Sequence, residues 1–210
     1  MMTTPPSTPV DLDFLSVLTE AATTFQTQSG SSYLPSETVV KALLEAEKTA
    51  KQQRSPYSLD TLVGNWRLCF VTGTQKARKR AGIVLGKGRY VPDWVKIHLS
   101  VQIQAEVDPQ PDRGKIGNQV QLGALELKLT GPIQYSGKKN LLAFDFIHLQ
   151  VHLFNRTVYS GGMRGGQAQA ENFYERPISK LPFFAFFLVT PDFIAARGRG
   201  GGLALWIRES

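Results

Sequence analysis

The feature that most constrains the fold is a strict alternation of apolar and polar side chains over residues 94–108. Seven apolar residues recur there at every second position: Val95, Ile97, Leu99, Val101, Ile103, Ala105 and Val107. Because successive side chains of a strand point to opposite faces, this pattern predicts a long β-strand with one dry face and one wet face. Such a strand is typical of an antiparallel sheet that is wetted on one side. We therefore expect a mainly β fold.

Later segments continue the strand pattern, with two irregularities. The alternation over 119–130 slips by one residue at Gly123, which predicts a single strand with a β-bulge. Residues 131–140 are predicted to form a turn region. The segment 141–154 predicts one long strand with these residues on its dry face: Leu141, Ala143, Ile147, Leu149, Val151 and Leu153. Its other face begins apolar and needs a cover, which we expect from the N-terminal helices or a membrane: Leu142, Phe144 and Phe146.

Shorter strands are predicted at 157–160, 167–174, 183–189 and 203–208, following a first strand at 62–72. The total of about eight antiparallel strands with short connections predicts a small barrel, which is large enough to hold one small ligand.

Two helices are predicted before the first strand. Apolar residues recur at helical spacing over 11–28 and again over 36–54, where Ser36 is the expected N-cap. Residues 1–9 are rich in Pro, Ser and Thr and are predicted to be a disordered tail. An apolar helical stripe needs something to pack on. We therefore expect the helical segment 10–56 and the barrel 57–210 to fold as one cooperative domain.

The charge of the chain favours an anionic partner. There are 24 Lys and Arg against 17 Asp and Glu, a formal net charge of +7, which is typical of proteins that bind nucleic acid or an anionic membrane surface. One compact loop holds four of these cations: Lys76, Arg78, Lys79 and Arg80. A solvated turn and contact with anionic head groups explain this loop equally well. Aromatic residues are not interleaved with it, which argues against nucleic acid.

The sequence carries no recognisable catalytic or metal-binding motif. His148 and His152 lie on one predicted strand about 13 Å apart, too far to share a zinc ion. The glycine clusters match neither GxxxxGK[ST] nor GxGxxG. Cys69 is the one cysteine and is expected to be a small buried hydrophobic residue. We expect no enzymatic activity, no metal and no required cofactor. Without a secretory signal or a long apolar run, we also expect a soluble or peripheral protein that is not secreted.

Charged residues near the predicted core suggest three contacts. Asp145 interrupts a dry face, where a carboxylate is costly unless it is paired. Either the strand register is shifted there, or Asp145 meets an arginine or a polar ligand group. Asp192 and Arg197 flank a turn and are interpreted as a pair. Arg208 on the last strand is expected to lie over Trp66 in a cation–π contact.

The first strand carries Gly64 two residues before Trp66. A glycine there lets another backbone approach, and a tryptophan can cover the closed end of a small barrel. Taken alone, this short pattern fits a core tryptophan beside a bend in any β-domain. Together with the close of the chain, however, the sequence resembles the plastid lipid-associated proteins, also called plastid fibrillins. The resemblance covers roughly residues 35–208 and lies mainly in a GxWRL start and a DxxxxRG close: Gly64, Trp66, Arg67, Asp192, Arg197 and Gly198.

The resemblance implies a lipocalin-like protein that binds or sequesters a carotenoid, quinone or lipid without catalysing a reaction. It also implies a place at the thylakoid periphery or on lipid globules of a photosynthetic cell, on the cytoplasmic side, and a role in photoprotection. No plant transit peptide is visible, so we expect a photosynthetic bacterium's version or a processed chain. Trp206 stands where the family often has smaller apolar residues, and a tryptophan can fill the space of a ligand.

We therefore expect the ligand to lie inside the barrel against these residues: Val95, Ile97, Leu99, Val101, Ile103, Asp145, Ile147, Leu149 and Val151. The expected barrel-closing set is Gly64, Trp66, Arg67, Asp192, Arg197, Gly198 and Arg208. The basic loop is expected to dock on anionic membrane lipids. The alternative is a filled barrel whose surface recruits a prenyl-lipid biosynthetic enzyme or a photosynthetic complex. We expect a monomer that does not bind nucleic acid.

Overall fold

The computed structural model describes residues 13–27, 33–73, 88–103, 112–163 and 172–209. The described residues form two helices, α1 (Phe14–Gln26) and α2 (Ser36–Gln53), followed by eleven strands. The strands are β1 (Gly64–Val71), β2 (Arg89–Tyr90), β3 (Val95–Ile103), β4 (Arg113–Leu122), β5 (Leu125–Ser136), β6 (Leu141–Phe144), β7 (His148–Leu153), β8 (Arg156–Gly162), β9 (Phe183–Val189), β10 (Phe193–Gly198) and β11 (Leu203–Glu209).

Eight of these strands close into an antiparallel barrel. Around the wall they follow the order β1, β3, β4, β5, β6, β9, β10 and β11, and β11 pairs with β1 to complete the ring. β2 adds a short pairing to β1. The expected fold is confirmed: the protein is mainly β, with a closed lipocalin-like barrel of eight strands and two helices N-terminal to it.

A cluster of aromatic side chains lies inside the barrel. The Phe184 ring lies 5.0 Å from that of Phe144 and 5.3 Å from that of Trp206. Phe186 lies 6.3 Å from Trp206, and both of these side chains are almost completely buried. The protein's own rings therefore occupy the space between β6, β9 and β11.

The two helices cover the outer side of β1 and its neighbours. Their apolar faces are buried, with Phe25 of α1 and Leu43 of α2 fully inaccessible. The guanidinium of Arg67 lies 5.0 Å from the centre of the Phe25 ring. The Cys69 thiol points at the carbonyl oxygen of Ala21 at 3.9 Å. Burial raises the pKa of Cys69 far above its ordinary value, so Cys69 is an unreactive neutral thiol, as expected.

The predicted bulge at Gly123 is wrong, because the chain makes a hairpin there. β4 and β5 pair along their whole length, starting from Leu122 opposite Leu125. Gly123 has a φ of 58°, the left-handed conformation that tight hairpin turns need. A two-residue turn puts Leu122 and Leu125 on one face although they are three positions apart. In the sequence, this odd spacing looks like the one-residue shift in alternation that a bulge produces. β5 then continues to Ser136, so the predicted turn region 131–140 is confined to its last four residues.

The predicted single strand 141–154 is two strands, β6 and β7, separated by residues 145–147. The break shifts the alternation of inward and outward side chains by one residue. Phe144 pairs with Ile133 and Leu149 pairs with Leu129, so side chains an odd number of positions apart share one face of the sheet. Leu142 and Phe144 are buried, Leu142 across from Tyr135, and do not face outward as predicted.

The outer side of β6 is covered by the segment 172–181 and not by the helices or a membrane. Ala143 packs there with Phe173 and Leu181 in a small core of its own, and all three side chains are fully buried. The described part of the predicted strand 167–174, residues 172–174, forms turns.

Several predictions fall partly or wholly outside the described residues: the tail 1–9, the basic loop 76–80, the end of the long strand at 104–107, and 167–171. In α2, the N-cap residue is Pro35, and the predicted cap Ser36 is the first helical residue. The predicted strands at 157–160, 183–189 and 203–208 correspond to β8, β9 and β11.

The close approach of two backbones at Gly131 gives a stability prediction. A Cβ at this position would lie 1.7 Å from the carbonyl oxygen of Asp145. Gly131→Ala therefore forces β5 away from the break between β6 and β7, and we expect it to lower the free energy of unfolding by about 3 kcal/mol or more.

The matched control is Gly123→Ala, where nothing lies within 4 Å of the added Cβ. Only its left-handed φ costs energy there, about 1–2 kcal/mol. Urea denaturation measures both variants, and an equal loss in the two would contradict the packing at Gly131.

Candidate functional site

Part of the sheet extends beyond the closed barrel. β5 belongs to both parts, since residues 133–136 pair with β6 in the barrel while residues 125–130 pair with β7. β7 pairs onward with β8, which has no further strand neighbour among the described residues. We call the sheet formed by residues 95–98, 118–122, 125–130, β7 and β8 the sheet extension.

One side of the sheet extension is mostly apolar, and its polar members are Asn118 and Arg156. Residues paired directly across antiparallel strands share a face, so the strand registers define this side. We call its apolar and aromatic residues the apolar face: Val95, Ile97, Val120, Leu122, Leu125, Leu127, Leu129, Leu149, Val151, Leu153 and Tyr159. On β3 it continues through Leu99 and Val101, which are 1% and 0% exposed, into the barrel interior.

The apolar face is partly open to solvent. None of its eleven side chains is fully buried, and Leu153 and Tyr159 are 41% and 49% exposed. Contiguous apolar surface of this kind is rare on soluble monomers and marks binding sites for apolar ligands, membranes or protein partners. The apolar face is therefore the candidate functional site.

Two hairpin tips form the outer edge of the sheet extension. The backbone N–H of Phe154, in the turn between β7 and β8, donates to the carbonyl oxygen of Ala124, in the turn between β4 and β5, at 3.0 Å. Phe154 is 76% exposed and Trp94, next to β3, is 72% exposed. Aromatic side chains in such positions suit the interface between water and lipid.

The opposite side of the sheet extension is polar. Glu126 and Lys128 form an ion pair of 2.7 Å there. The hydroxyls of Ser160 and Thr157 hold His148 and His152 at 3.1 and 3.2 Å. Among the described residues no group of three or more histidine, cysteine or acidic side chains is arranged to hold a metal ion.

His98 on the same polar side lines a cavity of about 200 Å³ with Asn65 and Ser100. Its Nε2 lies 2.7 Å from a carboxylate oxygen of Glu209. Burial lowers the pKa of His98, and this outweighs the opposing effect of Glu209.

Trp66 and Arg208 meet as predicted, with the guanidinium 4.0 Å from the centre of the indole ring. The Trp66 side chain is fully buried and its Nε1 donates to the carbonyl oxygen of Leu62 at 2.8 Å. Arg208 also donates to the carbonyl oxygen of Val63 at 3.2 Å. Gly64 has a φ of 137°, which favours glycine, and a Cβ there would also lie 2.6 Å from the Arg208 guanidinium.

The other residues of the resembling motifs lie elsewhere. Arg67 lies on the outer side of β1 beneath α1. The predicted pair of Asp192 and Arg197 is wrong, because Arg197 donates to both carboxylate oxygens of Glu47 on α2, at 2.7 and 2.5 Å. Asp192 accepts a bond from the backbone N–H of Arg208 at 2.7 Å through its own carbonyl oxygen. Arg197 thus ties the barrel wall to the helices.

The expected ligand-lining residues fall into three places. Leu99, Val101 and Ile103 continue along β3 on the side that faces the barrel interior. Four others belong to the apolar face outside the closed barrel: Val95, Ile97, Leu149 and Val151. Asp145 and Ile147 lie in the break between β6 and β7.

Of the alternatives given for Asp145, the structure shows both a break in the strand register and an arginine partner. Asp145 is 3% exposed, and Arg176 donates to its Oδ2 at 3.0 Å. The apolar residues of the β4–β5 hairpin were missed as site residues: Val120, Leu122, Leu125, Leu127 and Leu129. Their alternation was visible in the sequence, and reading Gly123 as a hairpin turn adds them to the site.

A scan against protein-family models found no match, and a search of curated proteins found none either. Over the described ranges no helix is both long enough and apolar enough to cross a membrane.

The ion pair between Glu47 and Arg197 predicts a pH dependence of stability. Hydrogen bonds from Arg197 hold the pKa of Glu47 below its ordinary value of 4.5, although burial opposes this. A depressed pKa in the folded state stabilises the protein above the ordinary value, and this stability is lost as the pH falls below it. Glu47→Gln should lower the free energy of unfolding by about 1–3 kcal/mol at pH 7. The deficit should shrink below about pH 4.5.

The control is Glu45→Gln, an exposed position on the same helix, which should change stability by less than about 0.5 kcal/mol. Thermal unfolding from pH 3 to 8 distinguishes the two variants. A deficit of Glu47→Gln that stays constant across this range would rule out the charged pair as its cause.

Proposed function

We propose that this is a non-enzymatic, lipid-associated protein that binds a hydrophobic molecule, namely a carotenoid, quinone or lipid, on its apolar face. The observation that carries the proposal is the apolar face itself, eleven contiguous apolar side chains that remain partly open to solvent and lead into the barrel. Burial of apolar surface contributes about 25 cal/mol per Å². Covering a few hundred Å² is therefore sufficient to hold an acyl or isoprenoid chain.

The ligand is proposed to lie at the mouth of the barrel, with little of it inside. The ring cluster of Phe144, Phe184, Phe186 and Trp206 supports this placement, because it occupies interior space between β6, β9 and β11. A ligand on the apolar face reaches Leu99 and Val101 only with its inner end.

Attachment to an anionic membrane surface belongs to the same proposal. The exposed Trp94 and Phe154 at the edge of the sheet extension suit insertion among lipid head groups. The net charge of +7 favours an anionic surface. The resemblance to plastid lipid-associated proteins supports a location at thylakoids or lipid globules of a photosynthetic cell, and a photoprotective role.

Two variants test the proposed ligand site. Val120→Gln with Val151→Gln places two polar amides on the apolar face, while Gln119→Ala with Gln150→Ala changes the neighbouring positions on the polar side. All forms are purified from a photosynthetic host and extracted with organic solvent. We expect the wild type and the polar-side variant to yield a carotenoid, quinone or lipid, and the apolar-face variant to yield at least tenfold less. Wild-type protein that is consistently empty and ignores anionic vesicles would refute the proposal.

The basic loop has its own test, although it lies outside the described residues. Replacing Lys76, Arg78, Lys79 and Arg80 by Gln should reduce co-sedimentation with vesicles that contain phosphatidylglycerol, because about 1 kcal/mol of attraction is lost per cation. The control variant replaces four exposed lysines outside this loop by Gln: Lys41, Lys48, Lys96 and Lys115. Equal losses in both variants would mean that only the net charge matters.

A second candidate function is that of an interaction module, and the aromatic filling of the barrel favours it. The apolar face would then bind a partner protein, such as a prenyl-lipid biosynthetic enzyme or a photosynthetic complex. This candidate predicts wild-type protein without extractable ligand, and loss of the partner in the variant Val120→Gln with Val151→Gln.

A further inference from the structure

A basic cavity of about 400 Å³ lies between the end of α2, the turn at 137–139 and β9. Two pairs of cations line it, Lys51 with Arg54 and Lys138 with Lys139. Part of its wall is apolar and comes from Ala50, Ala185 and Phe187. None of the residues of the apolar face contributes to this cavity.

The backbone on which the four cations sit is held by Asn140. Its Oδ1 accepts from the backbone N–H of Tyr57 at 2.8 Å, and its Nδ2 donates to the carbonyl oxygen of Ser55 at 2.8 Å. The chain that leaves Arg54 is therefore tied to the end of the turn at 137–139. Arg54 and Asn140 both have a left-handed φ, 52° and 49°. The two cation pairs are thus brought together before any ligand binds.

The cavity has much more positive than negative charge. Among the described residues that line it, Glu47 is the only acid, and it already accepts hydrogen bonds from Arg197. Lys51 lies 3.2 Å from the same carboxylate. Within the described part of the chain, no acid forms an ion pair with Arg54, Lys138 or Lys139.

Stabilisation of α2 explains the positions of only two of the four cations. Basic residues in the last turn of a helix interact favourably with its dipole, which accounts for Lys51 and Arg54 at the end of α2. It does not account for Lys138 and Lys139, which are adjacent in another turn and repel each other. Like charges around a concavity focus the electrostatic potential and attract an anion of opposite charge.

We propose that this cavity binds a phosphate monoester. A multiply charged phosphate matches the excess of cations, and its oxygens accept charge-assisted hydrogen bonds from lysine and arginine. The apolar wall at Ala50, Ala185 and Phe187 takes the carbon atoms next to the phosphate. The size of the cavity suits a small ester or one lipid head group, and not a whole lipid.

The test measures binding of two probes to the full chain. Glycerol 3-phosphate is titrated by calorimetry, and phosphatidylcholine vesicles with and without phosphatidic acid are used in co-sedimentation. Lys138→Ala with Lys139→Ala should weaken binding at least tenfold, because a charge-assisted hydrogen bond contributes a factor of about ten. The control, Lys41→Ala with Lys48→Ala, removes the same charge from exposed positions of α2 outside the cavity.

Binding of glycerol 3-phosphate would support the site and identify a free ester as the ligand source. Binding only to vesicles with phosphatidic acid would support it and identify a lipid head group. The proposal is overturned if neither probe binds, or if both double variants lose affinity equally. Since Lys138 and Lys139 are exposed, we expect both variants to unfold at the urea concentration of the wild type.

Discussion

The backbone pairing between β4 and β5 supports both parts of the molecule. Ten residue pairs join the two strands, from Leu122 opposite Leu125 at the turn to Arg113 opposite Gln134. The half of this hairpin far from its turn is wall of the closed barrel, and the half near its turn carries the sheet extension. One continuous set of hydrogen bonds therefore holds the apolar face in a fixed position at the barrel mouth.

In this arrangement, the barrel core stabilises the fold, and a different part of the sheet provides the proposed binding surface. The barrel holds a cluster of aromatic rings, a contact between Arg208 and the buried Trp66, and an ion pair of Arg197 with Glu47 that ties it to the helices. A core filled in this way stabilises the fold but leaves less room for a ligand. The sheet extension contributes little to that core and keeps its apolar side chains accessible. The proposed function therefore depends on surface next to the barrel more than on the space inside it.

Features with a fixed period were predictable from the sequence, and features that depend on distant partners were not. The alternation from Val95 predicted β3 and its dry face, because side chains of a strand alternate strictly. The hairpin at Gly123 was missed because a two-residue turn reproduces the phase slip of a bulge. The bond from Arg197 to Glu47 joins positions 150 residues apart, and neither position carries a periodic signal of its partner. The position of Asp145 on a dry face did indicate either a shifted register or a polar partner such as an arginine, since the cost of burying a carboxylate is general.

The central claim is that a hydrophobic ligand lies on the apolar face and not within the barrel. Methyl-resolved NMR during titration with a short-chain quinone tests this most directly. The account predicts shifts of the methyl signals of Val120, Leu127 and Val151, with those of Leu142 and Ile194 unchanged. Shifts confined to Leu142 and Ile194, which are fully buried, would place the ligand inside the barrel and contradict the account.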